Sequence, residues 1–153
     1  DSYEGKKEAV KAAYIKMMKK CNAIFPSLLI WATCNKKDKA DTYSISISLK
    51  ALDELRYSSL MLNMALIESN IPFEAINSDK IQYHVFREWL KPPEIKDTIG
   101  IPITLKNEGD IVQTEFSFQL NVELYKNDLS IILFVQDMET KQILQGLEIE
   151  LKQ

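Results

Sequence analysis

His84 is the one histidine of the chain, so chemistry that needs a proton acceptor near neutral pH would begin there. Arg87 follows three residues later, and no Gly-x-Ser-x-Gly motif accompanies the pair, so a serine-hydrolase nucleophile elbow is absent from the sequence. The carboxylate pairs fall in predicted turns and on polar strand faces, and their spacing does not match that of metal ligands. We therefore predict no catalytic residue, no metal and no cofactor, and expect that the protein is not an enzyme.

The cysteines Cys21 and Cys34 are separated by twelve residues. A disulfide between them would join the first helix to the first strand and would suit an oxidising compartment. Alternatively, both are buried thiols that behave as small apolar side chains. A catalytic dithiol is disfavoured because the Cys-x-x-Cys spacing that lowers a thiol pKa is missing.

Three aromatic residues, Tyr83, Phe86 and Trp89, recur at every third position and would share one face of a helix. Together with the intervening His84 and Arg87, they are the candidate binding residues, since aromatic and arginine side chains dominate interface hot spots. The alternative is a small apolar cluster beneath a long loop. The pattern of residues 81–91 fits a short helix or an edge strand, and both alternatives stay open.

Length, composition and charge indicate one globular domain and disfavour nucleic acid and a membrane span. The chain has 153 residues, enough for one domain with its own core, and its 27% charged residues are typical of globular proteins. Residues 1–40 carry nine Lys and Arg against four Asp and Glu, whereas the remainder carries ten against eighteen. Basic and aromatic residues do not combine into a groove for nucleic acid, and no apolar run approaches the ~20 residues that span a bilayer.

One N-terminal helix is predicted over residues 1–25. Val10, Tyr14, Met17 and Cys21 recur at helical spacing, and Pro26 cannot continue the helix. This stripe makes the helix amphipathic, so we expect it to pack on another surface, either as a linker or as the end of a preceding domain.

Alternating strands follow in residues 26–153. In the clearest, Tyr43, Ile45, Ile47 and Leu49 alternate with serines. The segment 58–70 is apolar on both faces and is predicted as a strand, with helix as its rival. Residues 129–151 are predicted to form a hairpin whose first strand is central in a sheet and whose second lies at an edge. About seven strands without intervening helices indicate a mainly β protein, an antiparallel β-sandwich of immunoglobulin or fibronectin type.

Three stretches, in their order along the chain, resemble those of one protein family. They are LNMALIESNIPF, YHVFREWL and the last hairpin, LSIILFVQDMETKQILQG. The family comprises exported outer-membrane lipoproteins of Bacteroidetes, in which a thioredoxin-like domain precedes an immunoglobulin-like domain. The matching positions are Glu68, His84, Arg87 and the hairpin from Phe134 to Gln145, and the resemblance covers residues 27–151. It implies a His84 that is hydrogen-bonded to backbone or to Glu68.

The resemblance implies an exported protein, in the periplasm or associated with the outer membrane. Its partners would be proteins, either a preceding thioredoxin-like domain or another envelope protein. We expect a non-catalytic scaffold or interaction module. The alternatives are an accessory domain of a thioredoxin-like thiol-redox protein, or a sandwich that binds carbohydrate or peptide through residues 69–93.

Overall fold

The fold was analysed in a computed structural model, which describes residues 3–22, 25–37, 41–73, 80–120 and 127–151. One helix, α1 (Tyr3–Asn22), precedes ten strands in this part of the chain. The strands are β1 (Leu28–Lys36), β2 (Thr42–Ala51), β3 (Leu60–Ser69), β4 (Ile71–Pro72), β5 (Ile81–Gln82), β6 (Val85–Trp89), β7 (Ile101–Ile103), β8 (Ile111–Gln119), β9 (Asp128–Asp137) and β10 (Ile143–Glu150).

The strands form two main antiparallel sheets that pack as a β-sandwich, as predicted. One sheet has three strands in the order β1-β2-β8. The other has five: β10-β9-β3-β6 run in order, and β7 also pairs with β3. Strands β6 and β7 share one edge of β3 because β9 occupies the whole of its other edge. A short ribbon of β4 and β5 connects β3 to β6.

The core lies between the inward faces of the two sheets. From the three-stranded sheet, Tyr43, Ile45, Ile47 and Leu49 are each at most 2% exposed, which confirms the alternation read from the sequence. The facing side chains of the five-stranded sheet also belong to the buried cluster, and they are Leu62, Met64, Leu66, Ile131, Leu133 and Val135. The segment with the rival helix assignment is thus strand β3, whose burial on both faces explains its continuous apolar run.

The predicted hairpin at the end of the chain is confirmed. Strand β9 is central, between β3 and β10, and β10 lies at the edge with Glu148 and Glu150 exposed. The turn needs no glycine because Asp137 organises it. The Oδ2 atom of Asp137 accepts hydrogen bonds from the backbone N (2.8 Å) and Oγ1 (2.6 Å) of Thr140, and Lys141 adopts a positive φ of 65°.

The predicted apolar stripe of helix α1 is exposed in the described residues. Val10, Tyr14 and Met17 are 58%, 62% and 58% exposed, so the sandwich of this chain does not bury the stripe, and its packing against a preceding domain stays a prediction. Lysines lie beside this stripe, which makes the helix only weakly two-sided. The side chain of Cys21 lies outside the described residues. No helix in the described ranges has the length and apolarity required to cross a bilayer.

A buried carboxylate fixes the far end of β3. Glu68 is 1% exposed and faces the core side of the sheet. Arg87 Nε donates to Glu68 Oε2 (2.7 Å), and the backbone N and Nδ2 of Asn127 donate to Glu68 Oε1 at 3.1 and 2.6 Å. Burial alone would raise the pKa of Glu68, but the hydrogen bonds from Asn127 and Arg87 and the Arg87 charge outweigh it and hold the pKa below 4.5, its ordinary value. Glu68 thus ties β3 to β6 and to the start of β9.

Replacement of Arg87 by Met should lower the free energy of unfolding by about 3 kcal/mol at pH 7, because it leaves the Glu68 charge buried without its cation. The Glu68 contribution is complete above pH 4.5, the ordinary pKa, and is lost as the pH falls through the lowered pKa of the folded state. The deficit of Arg87→Met should therefore shrink as the pH is lowered from 7 to 3, as measured by urea unfolding.

The matched control is Arg56→Met, since the Arg56–Glu54 ion pair is exposed, with the side chains 85% and 64% accessible. Its effect should stay below about 0.5 kcal/mol at both pH values. Equal losses in the two variants would contradict the role assigned to Glu68.

Gly100 packs against the edge of β3. A Cβ atom at this position would lie 2.5 Å from Asn63 Oδ1 and 2.5 Å from the Leu62 carbonyl oxygen. Gly100→Ala should therefore destabilise the domain by about 2 kcal/mol through overpacking. Gly146→Ala is the control, because its nearest contact would be an ordinary 3.5 Å. Denaturation midpoints that shift equally in both variants would show that the contact at Gly100 is not restrictive.

Candidate functional site

The segment that carries the candidate binding residues is extended. Residues 81–82 and 85–89 form β5 and β6, so the edge-strand alternative is correct and the helix alternative is wrong. Ile67 pairs with Phe86 but Leu66 pairs with Glu88, so Arg87 is an extra residue in β6, a β-bulge. Side chains of a regular strand point to opposite faces in turn, and the inserted residue shifts this order by one position. The side chains of Phe86 and Trp89, three residues apart, consequently lie on the same face of the sheet.

An exposed aromatic cluster results on the outer face of the five-stranded sheet. We use this name for Phe86, Trp89 and Phe134. The ring centroids of Phe86 and Trp89 are 5.1 Å apart and those of Trp89 and Phe134 are 6.2 Å apart, distances typical of favourable aromatic pairs. Phe86 and Trp89 are 49% and 41% exposed, at the edge of the sheet beside β3.

A cavity of about 310 Å³ adjoins the aromatic cluster. Trp89 and Phe134 form part of its wall, and its further lining includes Met61, Asn63, Ile99 and Gln136. Ile99 is 55% exposed, which extends the apolar surface beyond the rings. Asp97 and Thr98 also line the cavity, but most of its accessible surface is apolar, so it suits an apolar side chain better than a charged ligand.

The other predicted binding residues lie elsewhere. Tyr83 is 59% exposed in the link between β5 and β6. His84 has a positive φ of 54°, and its backbone N donates to Ser69 Oγ (3.0 Å). Its Nε2 lies 3.7 Å from Glu148 Oε1, whereas Glu68 is bound by Arg87. The five residues grouped by sequence are therefore dispersed. Phe86 and Trp89 belong to the aromatic cluster, His84 lines a polar cleft and Arg87 binds Glu68, while Tyr83 lies in the exposed link.

The polar cleft beside His84 has a volume of about 1000 Å³. Its lining includes Ser69, Asn70, Asp128, Glu148 and Glu150. The backbone N–H of His84 is bound to Ser69 Oγ, and the imidazole Nε2 faces the Glu148 carboxylate across the cleft. Within the described ranges no three His, Cys, Asp or Glu side chains converge in a way that could hold a metal ion.

Cys34 lies on the inward side of β1 and is half-buried. Desolvation by burial raises the pKa of its thiol to about 11, so the thiol is protonated and weakly nucleophilic at neutral pH. It forms no disulfide with a side chain that the structure describes. The side chain of Cys21 falls outside the described residues, so the Cys21–Cys34 disulfide stays a prediction.

Two residues of these sites were missed by the sequence reading. Asn127 binds Glu68 from 59 positions away, and no local pattern signals such a contact. Phe134 was assigned to a core strand apolar on both faces, which is correct for β9. The apolar outer face of this strand was nevertheless a signal. A two-layer sandwich has no third layer to cover that face, so an apolar residue there indicates a candidate contact surface.

Comparison with solved structures gives two informative neighbours, both from Porphyromonas gingivalis. HBP35 superposes with a TM-score of 0.68 at 17% identity, over 92% of this chain and 46% of HBP35, so the chain spans about half the length of that protein. A domain of the outer membrane lipoprotein Omp28 gives a TM-score of 0.52 at 15% identity, over 82% of this chain and 95% of that domain.

No protein-family model matches the chain, and no curated protein matches it significantly. The structural likeness shows a shared fold. It supports the resemblance to lipoproteins of Bacteroidetes at that level, while the thioredoxin-like and immunoglobulin-like details stay predictions. The described chain is an antiparallel β-sandwich of the fold found in these two Porphyromonas gingivalis proteins.

Proposed function

We propose that this β-sandwich is a non-catalytic interaction module of an exported cell-envelope protein, and that it contacts a protein partner through the aromatic cluster. The observation that carries the proposal is the outward display of Phe86 and Trp89 by the bulge at Arg87. Half-exposed aromatic rings beside an apolar cavity are the usual composition of an interface centre.

The rigid setting of the cluster supports this role. Trp89 and Phe86 are attached to β6, which is tied to β3 by backbone pairing and by the Glu68–Arg87 ion pair. A surface held in this way loses little side-chain entropy when a partner binds, so more of the contact energy appears as affinity.

The envelope location is supported by the fold shared with a domain of an outer membrane lipoprotein and by the sequence resemblance. The absence of a catalytic role is supported by the raised Cys34 pKa and by the solvent-exposed setting of His84. Periplasmic and outer-membrane positions are both consistent with the proposal, and a preceding thioredoxin-like domain is one candidate partner.

A second candidate function is peptide or carbohydrate binding by the region 69–93. The exposure of Tyr83, Phe86 and Trp89 favours it, because a small ligand could use the same rings. A role as accessory domain to a thiol-redox partner is a further alternative, in which Cys34 would not itself be the attacking thiol.

The proposal predicts a position-specific crosslink in cells of the source organism. A photoreactive benzoyl-phenylalanine placed at Phe86 should form an adduct with a protein of the envelope fraction. The same residue placed at Ile111, which is 59% exposed on the other sheet, is the matched control and should give little or none. Adduct formation at Phe86 should fall several-fold when Trp89 is replaced by Ala, because the centre of the surface is lost.

Detection of the protein in the cytoplasmic fraction alone would contradict the envelope location. Crosslinks of equal yield at Phe86 and Ile111, or an adduct at Phe86 that Trp89→Ala does not change, would contradict the assignment of the surface.

A further inference from the structure

The outer face of the three-stranded sheet carries a second groove, on the side of the sandwich opposite the aromatic cluster. It has a volume of about 740 Å³, within the range of small-molecule sites. The register places Trp31, Ser48 and Gln113 in one row across β1, β2 and β8. Thr33, Ser46 and Glu115 form the next row, and all six residues line the groove.

The shape of the groove follows from side-chain size. Serines on β2 alternate with the buried core residues, so their hydroxyls stand about 7 Å apart along the strand. Small residues on the middle strand and larger ones on both neighbours produce a trough. Trp31, 50% exposed, forms one wall, and Gln113 and Glu115, both exposed, form the other.

The floor of this trough restricts what can bind. Strand β2 is paired along its length with β1 on one side and β8 on the other. Its backbone N–H and C=O groups are therefore engaged, and a peptide could not add to it as a further strand. Recognition must come from the side chains. The two rows offer one indole face, three hydroxyls, one amide and one carboxylate. The rest of the lining is Thr114 and the apolar residues Ile30, Ala32, Ile47 and Leu147.

We propose that this groove binds a neutral saccharide chain. A pyranose ring presents C–H groups on its faces and hydroxyls around its rim. The C–H groups suit the electron-rich face of Trp31, and the hydroxyls can both donate to Glu115 and Gln113 and accept from the serines. The Glu115 carboxylate in the groove disfavours an anionic ligand.

The site is separate from the contact surface proposed above. Apart from Leu147 of β10, its lining comes from the three-stranded sheet, and it shares no lining residue with the aromatic cluster or its cavity. A module with these two surfaces could hold a protein on one sheet while it holds a neutral saccharide on the other.

Isothermal titration of the protein with cellotetraose, chitotetraose and mannotetraose tests the proposal. At least one of the three should bind and should change the tryptophan fluorescence. Trp31→Ala should weaken that binding about tenfold or more, and Gln113→Ala should weaken it several-fold. Ile111→Ala is the matched control, because Ile111 is 59% exposed on the same face but does not line the groove, and its affinity should stay within about twofold of wild type.

Circular dichroism must show a folded protein for each variant, which is expected because Trp31 and Gln113 lie on the surface. The proposal is overturned if none of the three sugars binds at millimolar concentration, or if the folded Trp31→Ala protein binds as well as wild type. Neither result would affect the crosslink expected at Phe86, so failure here is distinguishable from failure of the protein-contact role.

Discussion

The ion pair between Glu68 and Arg87 is the constraint on which the arrangement of the five-stranded sheet depends. A carboxylate that is 1% exposed must keep its partners, since water is not available to replace them. Arg87 can reach Glu68 from the bulge in β6, and Asn127 reaches it from the segment that enters β9. One buried charge thereby fixes the edge of the sheet and the start of its central strand.

The bulge links this interior contact to the surface. Because Arg87 is the inserted residue, Phe86 and Trp89 face outward together, where they meet Phe134 from β9. A regular strand would have placed one of the two rings on the other face of the sheet. The outer face of the three-stranded sheet is instead polar at its centre, where the serines of β2 lie. The two sheets share one core but differ in outer chemistry, and the functional proposals rest on that difference.

Sequence periodicity correctly predicted a strand with one apolar and one polar face and a hairpin with a short polar turn. Strand β2 and the hairpin of β9 and β10 were assigned correctly because alternation and a polar turn are local signals. The segment 81–91 was ambiguous for a physical reason, since a bulge puts residues three apart on one face and so imitates helical spacing. The contacts of Glu68 were beyond prediction because its partners lie 19 and 59 positions away. The groove at Trp31 requires the registers of three strands, which a single sequence does not reveal.

The most direct test of this account is fluorine NMR of protein labelled with 5-fluorotryptophan, in which the two tryptophans give separate reporters for the two sheets. In a folded Arg87→Met protein the resonance of Trp89 should move or broaden, because the bulge that orients the ring has lost its anchor. The resonance of Trp31, assigned with a Trp31→Phe variant, should stay in place. An unchanged Trp89 resonance would contradict the claim that the buried ion pair sets the aromatic surface.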